Sequence, residues 1–322
     1  MVMDRNAVTV EKFFQGYAES LQLRRLGGGA EPLQRIIREP TVNRPGLALS
    51  GFTRYFANKR LQVMGHAEVY YLRSLPPQER PARYACLFAY KIPCIVFSRT
   101  LRPDRDFLAA AEKARVPIFQ TPLVTMKFIN LATLALETMF APRVTELGSM
   151  VDILGVGVII RGDSGIGKSE AVLALIERGY SLVADDVVKA MLVDGKEILC
   201  TSAELTRNHM EVRGIGIINV VSMFGIKSIR HEKTLDLVVT LKIWNDVPDV
   251  DRLGMEQEFV TIMGLPVPHI TIPVRPGRDL ARLIEVAAFQ TKLNKSGYNA
   301  AQELNKRLIA QMAPETEPPL VK

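Results

Sequence analysis

The chain has 322 residues with 48% hydrophobic and 7% aromatic side chains, and a net charge of +7. That length fits two domains better than one core, and the composition excludes disordered, collagen-like and fibrous classes. Nowhere do about 18 apolar residues run without a charge, and the opening MVMDRNAVTVEKFFQGYAES lacks the apolar core of a signal peptide. A cytoplasmic protein without membrane contact is therefore expected. Residues 1–140 carry 20 lysines and arginines against 11 acids, so the basic surplus belongs to the first half. Such a field can steer an acidic protein or nucleic acid, and charge alone does not choose between them. Cys86, Cys94 and Cys200 are odd in number and widely spaced, which argues for buried free thiols rather than disulfides or zinc.

In chain order, the first half reads as a small α/β domain. Val10 to Leu21 has helical spacing, with Phe13, Phe14, Tyr17 and Leu21 on one broad face, before Gly27-Gly28-Gly29 halts regular structure. After NRPGLALSGF, helix is predicted from Phe52 to Arg60, then a strand in LQVMG and a second helix from Glu68 to Leu75 that stops before Pro76-Pro77. Strands are predicted for Cys94 to Ser98 and Val116 to Phe119, and helices for Phe107 to Ala114 and Thr125 to Phe140. The domain boundary is expected near residues 138–146, around APRVTE.

The second half opens with strand-like segments Ser149 to Leu154 and Val156 to Ile160, reversing at Gly155 and Gly157. A helix from Glu170 to Arg178 follows, stopped by Gly179. SLVA forms a strand ending at Asp185-Asp186, and VKAMLVDGKEILC a hairpin turning at Asp194-Gly195. GIIN and LDLVVTLKIW are further strands, and Leu280 to Leu293 and Asn299 to Met312 are closing helices. The polar, proline-rich end APETEPPLVK, residues 313–322, reads as a flexible tail.

Between the second of those strands and its helix lies GDSGIGKS, which matches G-x-x-x-x-G-K-[ST]: Gly162, Asp163, Ser164, Gly165, Ile166, Gly167, Lys168, Ser169. Consecutive backbone N–H groups can curl around an anion there while the following helix directs its positive end at it. Lys168 can bridge the β- and γ-phosphates of a nucleoside triphosphate, and the Ser169 hydroxyl can ligate Mg²⁺. Asp163 can orient a metal or water, or stay a solvated turn residue. Asp185 and Asp186 close a strand one helix later, where an open α/β sheet brings strand ends to its ligand. Either can serve Mg²⁺ or take the proton of an attacking hydroxyl, and the pattern does not divide the pair. Glu211 in EVRGIGIIN is a candidate second metal ligand, with Arg213 as a phosphate contact or a surface ion-pair partner. Arg275 and Arg278 in the turn Pro273, Val274, Arg275, Pro276, Gly277, Arg278 suit phosphate or a solvated basic loop. His66, His209, His231 and His269 form no zinc-ligand pattern.

Taken together, these segments resemble the bacterial HPr kinase/phosphorylase family. Asn43 to Gly65 (NRPGLALSGF through RLQVMG) is similar to its N-terminal signature, and VDILGVGVIIRGDSGIGKSE, LVADD, EVRGIGIINV, DRLG, ITIPVRPGR and EVAAFQTKLNKSGYNAAQE follow in order. The resemblance implies an N-terminal α/β domain (1–138), a P-loop kinase domain (139–312) and a homohexamer with the kinase domains at its centre. It also implies ATP, with pyrophosphate as an alternative donor, Mg²⁺, and the phosphocarrier protein HPr as partner, phosphorylated on serine and dephosphorylated by phosphorolysis. Lys168 falls on the phosphate-binding lysine, Ser169 and Glu211 on Mg²⁺ ligands, and Asp186 on the residue that exchanges the serine proton. Arg252 falls on a catalytic arginine, and Pro273 to Arg278 on the loop tied to dephosphorylation. One position departs: Leu147 stands where relatives carry an active-site histidine, and leucine neither transfers a proton nor donates a hydrogen bond. Other classes that fit the loop are a regulatory nucleotide hydrolase, a nucleotide-sensing binding protein and a kinase of a small metabolite; nucleic acid is not the expected partner.

Overall fold

The computed structural model describes residues 8–27, 31–244 and 257–312. One compact unit ends at Ala141 and a second begins at Pro142. Among the described residues, no helix is long and apolar enough to cross a membrane.

In the first unit, α1 (Val10–Tyr17) starts where the Thr9 hydroxyl accepts the Lys12 N–H at 3.2 Å. It stops four residues short of the predicted end, because the chain turns so that Leu21 and Leu23 both drop into the core. The sheet has strand order β1-β5-β4-β3-β2, comprising β1 (Arg24–Gly27), β2 (Val42–Asn43), β3 (Leu61–Met64), β4 (Ile95–Phe97) and β5 (Ile118–Gln120). Strands β2 to β5 are parallel and β1 runs antiparallel to β5. The crossovers carry α2 (Gly46–Ser50), α3 (His66–Ser74), α4 (Arg80–Ala89) and α5 (Arg105–Lys113), and α6 (Thr125–Phe140) ends the unit. Both sheet faces are covered, as a parallel sheet requires. Val63, Val96 and Phe119 pack with Phe13 and Phe128 on one side, while Met64, Ile95, Phe97 and Ile118 pack with Leu72, Tyr84, Leu87 and Phe107 on the other.

Two sequence readings fail here. Residues Phe52 to Arg60 form turns, not a helix: their bonds, such as Phe56 N–H to Thr53 O and Asn58 N–H to Phe56 O, span two or three residues instead of four. The helical segment lies just before them, entered after Pro45 and terminated by Gly51 at φ +107°. Phe56 instead meets Tyr90 edge-on, with ring centroids 5.2 Å apart. Helix α4 was not predicted, because its short apolar face, Tyr84 and Leu87, follows directly on Pro76-Pro77 and contains a proline in its first turn.

The second unit is layered. Its six-stranded sheet has the order β16-β17-β15-β8-β7-β9, from β7 (Ser149–Ile153), β8 (Val156–Gly162), β9 (Ser181–Ala184), β15 (Leu237–Ile243), β16 (Glu258–Ile262) and β17 (Leu265–Val274). A four-stranded sheet, β14-β11-β10-β6, is built from β6 (Arg143–Leu147), β10 (Val187–Val193), β11 (Glu197–Ser202) and β14 (Glu232–Thr234). β12 (His209–Val212) and β13 (Gly216–Asn219) make a separate hairpin. The predicted reversal between β10 and β11 has both Asp194 and Gly195 at positive φ, as a type I′ turn needs.

Alternation along the strands explains the layers. Val158 and Ile160 of β8 and Leu237, Val239 and Leu241 of β15 face α7 (Lys168–Glu177) and α9 (Leu280–Lys295), meeting Val172, Leu175, Ile284 and Ala288. Ile159 and Val238 face the other way, toward Val188, Ala190, Ile198 and Cys200. The short α8 (Val220–Phe224) and the closing α10 (Ala300–Met312) complete the unit. Burial pushes the Cys94 and Cys200 thiols up to about 12, the inert buried thiols that the spacing suggested, whereas Cys86 is free but only half-buried.

Two packing details can be tested. A Cβ at Gly157 would stand 2.0 Å from the Thr234 carbonyl oxygen and 2.9 Å from Met150 Cε, whereas one at Gly155 meets nothing within 4 Å. Gly157→Ala is expected to destabilise the unit by about 3 kcal/mol in denaturant unfolding, and Gly155→Ala, strained only by its φ of +89°, by about 1 kcal/mol. Behind the α7 end, the Glu285 carboxylate accepts from Tyr180 Oη at 2.5 Å, Arg282 Nη1 at 3.1 Å and Arg178 Nη1 at 3.2 Å. The Tyr180 hydrogen bond is the main reason it titrates below the ordinary carboxylate value of 4.5. The folded state therefore holds the charged form more tightly, and that stabilisation is present above about 4.5 and lost as pH falls through the lower folded value. Glu285→Gln should be less stable than wild type at pH 7, with the gap closing on acidification below about 4.5 in unfolding curves taken across pH.

Candidate active site

Strand β8 ends at Gly162 against β15, where Gly162 pairs with Leu241 and a Cβ would sit 2.8 Å from the Leu241 carbonyl oxygen. The loop then turns through Gly165 and Gly167, the latter at φ +101° immediately before α7, so N–H groups at the helix start remain without intrahelical partners. Lys168 Nζ donates to the carbonyls of Gly162 at 2.6 Å and Asp163 at 2.9 Å, folding its side chain back across the loop. Ile166 packs toward the core and anchors the turn from beneath. Ser169 lies half-buried in the first turn of α7, while Asp163 and Ser164 are exposed.

The aspartate pair is divided by its surroundings. Asp185 is 7% exposed, and both carboxylate oxygens are engaged: Oδ1 accepts from Ser149 Oγ at 2.6 Å and Oδ2 from the Glu211 backbone N–H at 3.1 Å. Desolvation raises its pKa, with the Ser149 and Glu211 hydrogen bonds opposing. Asp186 is exposed and left-handed at φ +59°, held by its backbone carbonyl, which accepts the Gly148 N–H at 3.0 Å. A non-glycine residue in that region marks a place where neighbours over-determine the backbone.

The β12–β13 hairpin joins the aspartates to the phosphate loop. Glu211 gives its N–H to Asp185 and leaves its side chain exposed. Two residues on, Arg213 Nη2 donates to Ser164 Oγ, and a Cβ at Gly165 would lie 2.8 Å from Arg213 Nη1. Arg213 thus lies on the loop itself, which the sequence left open between phosphate contact and surface ion pair. On the far side of the aspartates, Leu147 ends β6 opposite Val187 and is 75% exposed. Its neighbour Glu146 pairs with Arg161, the residue preceding Gly162. Strand β6 and the phosphate-loop strand are thereby tied together, a link no motif announced.

The segment from Pro273 to Arg278 begins in the last two residues of β17, where Val274 pairs with Ile243 of β15, and turns only beyond them. It belongs to the same edge of the sheet as the end of β8, since β8, β15 and β17 run parallel. Trp244, which no sequence pattern singled out, lies beneath Arg275. Two of the histidines stand in local roles: His209 Nδ1 is 2.9 Å from Arg207 O, and His269 lies 2.8 Å from Thr240 Oγ1 and 3.3 Å from Glu258. Arg252 lies outside the described residues.

Comparison with known proteins decides the family. The HPr Serine kinase N terminus family matches residues 8–136, and the HPr Serine kinase C-terminal domain matches residues 138–308. The HPr kinase/phosphorylase of Geobacter sulfurreducens is 40% identical over 310 residues, spanning 96% of this chain and 97% of its own. The chain belongs to the HPr kinase/phosphorylase family. The HPr kinase/phosphorylase of Caldanaerobacter subterraneus is 41% identical over 84% of this chain and 89% of its own. The solved Hpr(Ser) kinase/phosphatase of Coxiella burnetii is 31% identical, covers 50% of this chain and 98% of its own, and superposes with a TM-score of 0.46. As a member of this kinase/phosphorylase family the chain is an enzyme, and its two-domain α/β architecture is the one the sequence implied.

Among the described residues, no three His, Cys, Asp or Glu side chains gather as a metal cage. The donors present, the Ser169 hydroxyl and the exposed Glu211 carboxylate, instead fit Mg²⁺, which keeps waters and takes one or two protein ligands beside phosphate oxygens. Arg213→Gln is expected to weaken ATP binding about tenfold in calorimetric titration. An unchanged affinity would reduce Arg213 to a brace for Ser164.

Proposed function

We propose that this enzyme phosphorylates a serine of HPr with ATP or pyrophosphate, and removes the phosphoryl group by phosphorolysis with inorganic phosphate. The observation carrying this reading is the division of the aspartates at the phosphate-loop edge: Asp185 has both oxygens engaged, while Asp186 offers a solvent-facing carboxylate. The relatives, which are HPr kinase/phosphorylases, supply the acceptor and the reverse direction.

In the forward direction the phosphate loop and α7 hold the donor phosphates, and Lys168 exchanges its two carbonyl partners for phosphate oxygens. Ser169 and Glu211 would hold Mg²⁺, which when bound would supply neutralisation of the phosphate charge. The serine oxygen bonds to the terminal phosphorus as Asp186 takes its proton, and the bond to the leaving phosphate breaks. In reverse, an oxygen of inorganic phosphate attacks the seryl phosphorus, Asp186 returns the proton to the serine oxygen, and pyrophosphate leaves. Lys168 and Arg252 stabilise charge on the transferred oxygens, and the loop of residues 273–278 serves the reverse direction. The reading includes an N-terminal domain over residues 1–138, a catalytic domain over residues 139–312, a homohexamer and a cytoplasmic location.

The decisive assay is phosphoserine formation on HPr of the same organism with Mg²⁺ and either donor, followed by excess phosphate added to the isolated phosphoprotein. Serine phosphorylation followed by pyrophosphate release is the expected result, and no transfer from either donor overturns the reading. Leu147→His should raise the phosphorolysis rate about tenfold or more, with a new dependence on pH near 6.5, because it places a titrating imidazole beside Asp186.

A further inference from the structure

Trp244 is the only tryptophan of the chain. It follows β15 as Arg275 follows β17, so the two residues come next after the Ile243–Val274 pair of parallel strands. On its other side β15 pairs with β8, at Leu241 and Gly162, where the phosphate loop begins. Trp244 therefore stands at the strand between that loop and the Pro273–Arg278 turn. Arg275 Cζ lies 3.2 Å from the centre of the indole ring, and Arg278 Cζ lies 5.5 Å from it. Arg278 is tethered besides, through Nη1 to the Pro273 carbonyl at 2.8 Å. Among the described residues, neither arginine has a carboxylate within ion-pair distance. Both side chains are exposed.

An exposed arginine has many rotamers, and fixing one on an anion costs conformational entropy. A ring beneath the guanidinium removes much of that cost in advance and, unlike a carboxylate, does so without neutralising the charge or occupying the N–H donors. We propose that Trp244 is a positioning residue for the phosphorolysis substrate: it holds Arg275 ready at the sheet edge to bind the oxygens of inorganic phosphate. The inference rests on the reading of the chain as a phosphorylase, and it deepens that reading by assigning phosphate binding to Arg275 and its orientation to the indole. The ring itself touches no reacting atom.

The test compares Trp244→Leu, Trp244→Phe and Arg275→Gln in the full chain, with phosphoseryl HPr and inorganic phosphate as substrates. Trp244→Leu should raise the KM for phosphate about fivefold, the size expected for one cation–π contact, with smaller changes in kcat and in the KM for ATP. Trp244→Phe, which keeps an aromatic face, should recover most of that loss. Trp244→Leu combined with Arg275→Gln should be no worse than Arg275→Gln alone. Equal loss in every kinetic parameter, without rescue by phenylalanine, overturns the proposal and makes Trp244 a packing residue. A second readout needs no turnover: indole fluorescence followed while phosphate alone is added. A phosphate-dependent change that disappears in Arg275→Gln supports the proposal, and one that persists unchanged, or is absent from wild type, overturns it. If no phosphoryl transfer to HPr is found at all, the assigned reaction fails, and the fluorescence titration still judges the Trp244–Arg275 pair.

Discussion

The parallel pairing of β8, β15 and β17 is the constraint on which the catalytic half depends. Because these strands run the same way, their final residues reach one edge of the sheet, and the register decides what stands beside what. Gly162 is drawn against the Leu241 carbonyl, which leaves no room for a side chain at the start of the phosphate loop. The same ladder, continued by one strand, delivers the turn holding Arg275 and Arg278. Strand β9 joins this edge through β7, since two successive antiparallel pairings restore the direction of β8. A one-residue slip would exchange the side chains that face α7 and α9 with those that face Val188, Ala190 and Ile198, so packing on both faces fixes the register of the edge.

Within that frame the chemistry is separated from the support. Asp185 is a buried acid satisfied by a serine hydroxyl and a backbone N–H, and its position fixes the hairpin that carries Glu211 and Arg213. Its neighbour Asp186, one residue on, is exposed at the surface with its backbone in the left-handed region. The strained backbone at Asp186 follows from the path of the chain, which must leave β9 and enter β10 of a different sheet within two residues.

Much of this was legible in the sequence, where local signals are strong. Thr125–Phe140 carries uninterrupted helical patterning and ends at a proline-directed break, and its limits were read correctly. The phosphate loop, the Asp194-Gly195 turn and the family signatures are likewise short-range patterns. What escaped depends on distant partners. Phe56 looked like part of a helix face but is held by Tyr90; the division of Asp185 from Asp186 needs Ser149, far away in the chain. Strand β6 was missed because its alternation is short and broken by the charged pair partner Glu146, whose mate Arg161 belongs to another sheet. A lone tryptophan has no pattern at all, and its relation to Arg275 exists only in the register of β15 with β17.

The fold-back of Lys168 has a consequence for selectivity. Its ammonium already holds two carbonyls of the loop, so the protein contains its own competitor for that cation. An entering anion gains only the difference between its attraction and what those carbonyls give up. A weakly charged or single oxyanion offers little surplus, whereas linked phosphates, reaching the helix start and the lysine together, displace the carbonyls with one binding event. Any anion that takes up Lys168 must therefore offer more than these two carbonyls do, which favours linked phosphates over a single oxyanion at this loop.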